Sequence, residues 1–357
     1  MNNTFDLKKI LRPHILTLAP YSSARDEYTG HVGVFLDANE NPYGSVTSEN
    51  YNRYPDPYQA EIKQHIAKIK HVQPERIFLG NGSDEPIDLL TRAACTPGSD
   101  HVIIMPPTYG MYEVSASIHD VRIDKASLTN DYQIDVEAVL NAVGEDTKII
   151  WICSPNNPTG NNMQDESIET ILKNFNGLVV VDEAYIDFTE KPSWVQRLDE
   201  YPNLVVLQTF SKAWGLAGLR IGMCFASAEL IRILNKIKPP YNISLPAQKA
   251  LLEGLENVAL KDNMVADILL QRAALSEMLL DLPIVIKIHP SDANFLLVQF
   301  EDSKAVMEYL IAETIIVRDR SRVHLCEGCL RITVGTEKEN EVLIDSLKKF
   351  QRKNVIA

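Results

Sequence analysis

Short apolar runs recur through the first two thirds of the chain: RIFLG (76–80), HVIIM (101–105), TKIIWICS (147–154), GLVVVD (177–182), NLVVLQTF (203–210) and RIGMCFA (220–226). Several are apolar at every position instead of alternating, the pattern of strands covered on both faces. Between some of them lie segments with helical spacing, DEPIDLLTRAACT (84–96) and DESIETILKNF (165–175). That succession predicts an α/β domain around a mostly parallel central sheet. From about residue 245 the texture changes to a long helix-rich stretch, then short strands and a final helix near 338–352. The expected organisation is an N-terminal arm over 1–45 packing with the small domain, a large domain over 46–245, and a smaller α+β domain over 246–357.

The polar residues that close these runs carry the chemistry. In an open α/β sheet, ligands bind beyond the carboxyl ends of the strands. RIFLG runs into Asn81-Gly82-Ser83-Asp84-Glu85 and a helix; Ser83 suits an N-cap, and the first helical turn offers unpaired N–H groups to an anion. TKIIWICS leads to Pro155-Asn156-Asn157-Pro158-Thr159-Gly160, and GLVVV to Asp182-Glu183-Ala184-Tyr185. NLVVLQTF leads to Ser211-Lys212, with Arg220 a little further on. Singly, each has a plain explanation: a cap, a turn, a surface lysine. Together they set a phosphate cradle, an amide, an acid, a phenol, a lysine and an arginine at one sheet edge, in the order a cofactor site requires.

Composition narrows the partners. A net charge of -13 over 357 residues argues against a nucleic-acid or anionic-membrane surface. Of the five cysteines, only Cys326 and Cys329 have metal-like spacing, and no second ligand pair accompanies them. No metal is expected, and the cysteines are read as thiols in a reducing compartment. No apolar stretch reaches the roughly 20 residues of a membrane span, and the start lacks a signal-peptide pattern. A cytoplasmic, soluble protein is expected.

A set of motifs covers nearly the whole chain. Ala19-Pro20-Tyr21-Ser22-Ser23-Ala24-Arg25, Asp37-Ala38-Asn39-Glu40-Asn41-Pro42-Tyr43-Gly44 and Arg53-Tyr54-Pro55-Asp56 come first. Pro106-Pro107-Thr108-Tyr109-Gly110-Met111-Tyr112 follows, then the strand-end segments, Gly218-Leu219-Arg220 and Leu330-Arg331-Ile332-Thr333-Val334-Gly335-Thr336. Together they resemble the fold-type-I pyridoxal-phosphate aminotransferases, with an aspartate-aminotransferase-like fold. The first three motifs and the Thr108–Tyr112 stretch resemble the histidinol-phosphate aminotransferase branch.

The resemblance implies pyridoxal 5'-phosphate as cofactor. Lys212 would hold it as a Schiff base and shuttle the substrate proton, which needs an amine that can lose its charge. Asp182 would pair with the ring nitrogen, Asn157 and Tyr185 would bond the phenolic oxygen, and Tyr109 would stack on the ring. Ser211, Arg220 and the backbone at Ser83 and Asp84 would hold the phosphate, so the acidic side chains of Asp84 and Glu85 are expected to point away. Arg331 would anchor the substrate anion through its planar charged fork, with Arg318 as a second contact and Tyr21 and Asn41 at the same end. Arg320 is expected to be a surface residue.

The implied reaction moves the amine of L-histidinol phosphate to 2-oxoglutarate, giving imidazole-acetol phosphate and L-glutamate. The implied assembly is a homodimer with shared active sites, Tyr54 reaching the cofactor phosphate of the other subunit. Threonine-phosphate decarboxylase and aromatic amino-acid aminotransferase activities share such a site. A pyridoxal-phosphate-binding regulatory domain is the non-enzymatic alternative, but no basic helix-turn-helix segment precedes residue 40.

Overall fold

The computed structural model describes residues 5–20 and 33–356. Seven strands build the large sheet: β1 (Ile77–Asn81), β2 (His101–Ile104), β3 (Arg122–Lys125), β4 (Thr147–Cys153), β5 (Leu178–Asp182), β6 (Leu204–Thr209) and β7 (Ile221–Phe225). A four-stranded antiparallel sheet follows, from β8 (Val285–Ile288), β9 (Phe295–Phe300), β10 (Arg318–Asp319) and β11 (Cys329–Thr333). The helices are α1 (Leu7–Ile10), α2 (Pro13–Thr17), α3 (Ala60–Lys70), α4 (Asp84–Ala94), α5 (Met111–Ile118), α6 (Val136–Asn141), α7 (Asp165–Asn174), α8 (Ala228–Ile237), α9 (Leu245–Leu255), α10 (Val258–Leu280), α11 (Ser303–Ala312) and α12 (Glu337–Ile356).

The α/β expectation holds, with each apolar run of the sequence forming a strand. The large sheet has the order β1-β7-β6-β5-β4-β2-β3 and is parallel except for β7, which is antiparallel to both neighbours. Side chains alternate across it. Ile150, Ile152, Val179, Val181 and Val206 enter one core with α3, α7 and α9. Trp151, Cys153, Val180, Val205 and Leu207 enter the other with α4, α5 and α8. Burial on both faces explains why these strands read as continuous apolar runs. Strand β3 escaped that reading because Arg122-Ile123-Asp124-Lys125 is an edge strand whose charges face water.

The small sheet obeys the same alternation. Phe295 and Leu297 of β9 join the large-domain core, whereas Leu296 and Val298 join a third core closed by α10, α11 and α12. On β11, Leu330 and Ile332 face that third core. Arg331 lies opposite Leu297 and therefore looks toward the large domain.

Two boundary expectations need correction. The arm was expected to pack with the small domain; its described helices pack on the large one instead. Leu7 and Leu11 join the core of α4 and α8, Arg12 N donates to Ala93 O at 3.0 Å, and Lys236 Nζ donates to Ile15 O at 2.9 Å. The passage to the small domain also falls later than residue 246. Leu251 and Leu255 of α9 belong to the large-domain core, and α10 spans both, with Val265 in one core and Leu275 and Leu279 in the other.

Candidate active site

The carboxyl edge of the large sheet opens into a cleft of about 350 Å³. Of the residues singled out from sequence, Ser83, Asp84, Tyr109, Asn157, Asp182, Tyr185, Ser211, Lys212, Arg220, Arg318 and Arg331 all line it. They come from loops after β1, β2, β4, β5 and β6, and from the small sheet.

The cradle depends on β7 running backwards. Because β7 is antiparallel, its first residue pairs with the last of β1, Ile221 with Asn81, and this sets Arg220 beside Gly82. Gly82 N donates to Arg220 O at 2.7 Å. Gly82 has φ +68°, and a Cβ there would stand 2.8 Å from Arg220 Nη2. A Cβ on Gly222 would lie 2.3 Å from Ser83 N, so only glycine lets β7 approach this loop. Ser83 takes the N-cap position of α4, but its side chain makes no capping bond. Its hydroxyl and the first N–H groups of α4 are thus available to an anion.

The expectation for the two acids of this turn is half corrected. Glu85 does turn away, accepting from Asn81 N at 2.5 Å and Asn242 Nδ2 at 3.1 Å. Asp84 points in: its carboxylate accepts from Tyr109 Oη at 3.0 Å and lies 3.6 Å from Arg220 Nη2. Two cleft groups, a phenol and a guanidinium, draw it inward.

At the base of the cleft Asp182 is 2 % exposed. Tyr112 Oη donates to its Oδ2 at 2.7 Å, and Ala184 N to its Oδ1 at 3.1 Å. Burial raises its carboxyl to about 6, against these two bonds. Among the described residues no basic side chain forms an ion pair with it. Lys212 faces the same cleft, its Nζ 5.7 Å from the centre of the Tyr185 ring. Desolvation first, then Arg331 and Arg220, pulls its amine below the ordinary lysine range. Asn157 Nδ2 donates to Tyr185 Oη at 3.4 Å, and Arg331 Nη1 donates to Asn157 Oδ1 at 2.5 Å, joining the two domains.

Two cleft-side residues were missed. Tyr112, completely buried and stacked on Trp151 at 5.0 Å, was noted in its motif without a role. Three residues after Tyr109, at a helix start, it could have been assigned to the same side. Arg320 was expected on the surface, yet it lines the cleft. Arg318 faces Arg331 across β10 and β11, and Arg320 is two residues on, so strand periodicity points both the same way.

Two expected residues among those described, Asn41 and Tyr54, are not in the cleft lining. Asn41 is exposed and accepts from Tyr43 N at 3.0 Å. Tyr54 is half exposed and stacks on Tyr241, with ring centres 4.3 Å apart. Tyr21 lies outside the described residues. Cys326 and Cys329 are buried, and burial holds their thiols near 12 and 11, far from thiolate reactivity. Among the described residues no helix is long and apolar enough to cross a membrane.

The residues fit a phosphorylated, protonated heteroaromatic aldehyde. Asp182 is a buried carboxylate with no ion pair among the described residues, the Gly82–Ser83 turn leaves a cradle that a Cβ would fill, and Lys212 supplies an amine between them.

Comparison with known proteins points the same way. The family model for aminotransferase class I and II matches residues 29–347. The histidinol-phosphate aminotransferase of Cytophaga hutchinsonii is 58% identical over 346 residues, 97% of this chain and 99% of that one. That of Parabacteroides distasonis is 51% identical with the same coverage. The crystal structure of histidinol-phosphate aminotransferase from Sinorhizobium meliloti in complex with pyridoxal-5'-phosphate superposes with a TM-score of 0.79 at 23% identity, over 88% of this chain and 90% of that one. The chain belongs to the class I and II aminotransferases and, within them, to the histidinol-phosphate aminotransferase family.

Proposed function

We propose that this protein is a pyridoxal-phosphate-dependent transaminase. It exchanges the amine of L-histidinol phosphate with 2-oxoglutarate, giving imidazole-acetol phosphate and L-glutamate in histidine biosynthesis. The observation that carries the reading is one cleft holding Lys212, an amine with weakened proton affinity, and Asp182, a buried acid with no ion pair among the described residues.

Bound, pyridoxal phosphate supplies an electron sink for the carbon that carries the substrate amine. Ser83, Ser211, Arg220 and the backbone N–H groups at Ser83 and Asp84 would hold its phosphate. Asp182 would keep the ring nitrogen protonated, and Tyr109 would cover the ring. Asn157 and Tyr185, already bonded to each other, would hold the phenolic oxygen. Lys212 Nζ would take the proton from the substrate carbon; an amine below its ordinary proton affinity does this near neutral pH. Arg331 and Arg318 would clamp the substrate anion, a phosphate in one half-reaction and a carboxylate in the other. Tyr54 would come from the second subunit of a homodimer, and Tyr21 and Asn41 would complete the substrate end.

The test is a coupled assay of the purified protein loaded with pyridoxal phosphate, offering histidinol phosphate, phenylalanine and threonine phosphate in parallel. Glutamate formation with histidinol phosphate, at least tenfold faster than with phenylalanine, supports the reading. Carbon dioxide release from threonine phosphate, or faster turnover of phenylalanine, overturns it.

A further inference from the structure

We infer that Arg320 is a specificity residue: it forms the third arm of a guanidinium triad, with Arg318 and Arg331, that selects a phosphate monoester over a carboxylate at the substrate end of the cleft. The inference rests on the transaminase reading above and assigns how that site tells its two substrates apart.

Three observations carry it. All three arginines line the cleft, and none forms an ion pair with a carboxylate among the described residues. In a protein of net charge -13, three guanidinium groups without acidic partners mark a locally positive pocket. Second, Arg331 Nε and Arg320 Nε are both buried and have no hydrogen-bond partner. A buried, unmade bond to a charged group is costly, so such donors are expected to meet a ligand acceptor. Third, the placement follows from backbone geometry. Arg318 faces Arg331 across β10 and β11, and Arg320 N donates to Cys329 O at 3.0 Å, which fixes its backbone against β11. Burial and the two neighbouring arginines also disfavour the Arg320 charge, a repulsion that an anion would relieve.

The number of terminal oxygens decides the ligand class. A carboxylate offers one negative charge and two oxygens, which a single bidentate arginine satisfies. A phosphate monoester carries nearly two charges near neutral pH and three terminal oxygens. Two arginines match that charge but leave the third oxygen without a guanidinium of its own; a third arginine supplies it. Glutamate's α-carboxylate would therefore depend on Arg331 far more than on Arg320, while histidinol phosphate would use the whole triad.

The experiment compares wild type, Arg320→Gln and Arg320→Lys, with the two half-reactions followed separately in single turnovers. The ratio of kcat/KM for histidinol phosphate to that for glutamate should fall roughly tenfold to a hundredfold in Arg320→Gln, mostly through KM. It should fall less in Arg320→Lys, which keeps the charge but loses the fork. A ratio within about twofold of wild type overturns the inference. Binding of phenyl phosphate and of benzoate to each protein, followed by calorimetry, keeps the two readings distinguishable. If wild type fails to turn over histidinol phosphate, the transaminase reading falls. Selective loss of phenyl phosphate binding in Arg320→Gln then still supports the triad, and equal binding overturns it.

Discussion

Tyr112 Oη donates a 2.7 Å hydrogen bond to Asp182 Oδ2 in a site closed to water on the Tyr112 side. The tyrosine is itself held between rings, parallel to Trp151 at 9° and edge-on to Tyr109 at 5.6 Å. It therefore fixes the carboxylate's orientation as well as favouring its charge. Asp182 points to this side because residues 178, 180 and 182 share one face of β5, the face that meets α5.

Removing that bond should loosen the grip on the cofactor in a pH-dependent way. With Tyr112→Phe, Asp182 loses a donor that now lowers its proton affinity, so its carboxyl rises above about 6. Pyridoxal phosphate, titrated by its visible absorption, should bind more weakly than to wild type, and the deficit should widen from about pH 8 to about pH 6, where the variant's Asp182 is protonated. A deficit that is constant with pH would mean that Tyr112 only fills space.

The cofactor-free protein should reveal the same acid through its stability. Asp182, near 6 when folded, ionises near 4 in an unfolded chain. A raised folded value means that the protonated form stabilises the fold, fully below the unfolded value, and that this contribution disappears as pH rises through about 6. His289, lowered by burial to about 4, acts in the opposite direction, so the comparison must be with Asp182→Asn. From about pH 5 to about pH 8, wild type should lose about 1.4 kcal/mol relative to Asp182→Asn. That corresponds to a relative drop in Tm of about 2 °C, read by thermal melts. Parallel Tm curves would place the Asp182 carboxyl at an ordinary proton affinity.

Arg331→Ala should damage both half-reactions, by about a hundredfold or more, because the proposed anchor would meet both anions. It also strips Asn157 of its 2.5 Å partner, so the grip on the cofactor should weaken slightly. Normal turnover of histidinol phosphate with loss of glutamate turnover would move the phosphate contact to Arg318 and Arg320.

The shared-site proposal predicts complementation. Tyr54 stacks outside the cleft of its own chain, and nearby Val34, Leu36 and Tyr43 are 88 %, 87 % and 97 % exposed, an apolar surface suited to a second copy. Lys212→Ala and Tyr54→Ala should each be nearly inactive, and mixing them with proven subunit exchange should restore up to about a quarter of wild-type activity. One site in such a mixed dimer keeps Lys212 together with the neighbour's Tyr54. Absence of any recovery, or a monomer at working concentration, refutes the idea.

Strand ends were legible in the sequence because burial on both faces leaves an apolar run that stops abruptly where the chain meets solvent or ligand. Asp182, Lys212 and Asn157 stand at such stops, and all three line the cleft. The edge strand β3 and the short β10 left no such run, since one is charged and the other is two residues long. Arg320 could have been placed by its two-residue offset from Arg318, but only once β10 was known to be a strand.

The sequence by itself determined the six buried strands of the large sheet and the order of the polar groups that end them, because these depend on local apolar runs and on how abruptly they stop. Tertiary structure alone decided which groups meet. The reversal of β7 brings Arg220 to Gly82, the docking of the small sheet brings Arg331 to Asn157 across 174 residues, and the seating of α5 slides Tyr112 beneath Asp182. Such meetings follow from strand order and helix packing, set by the summed burial of many side chains, and no short stretch of sequence carries that sum.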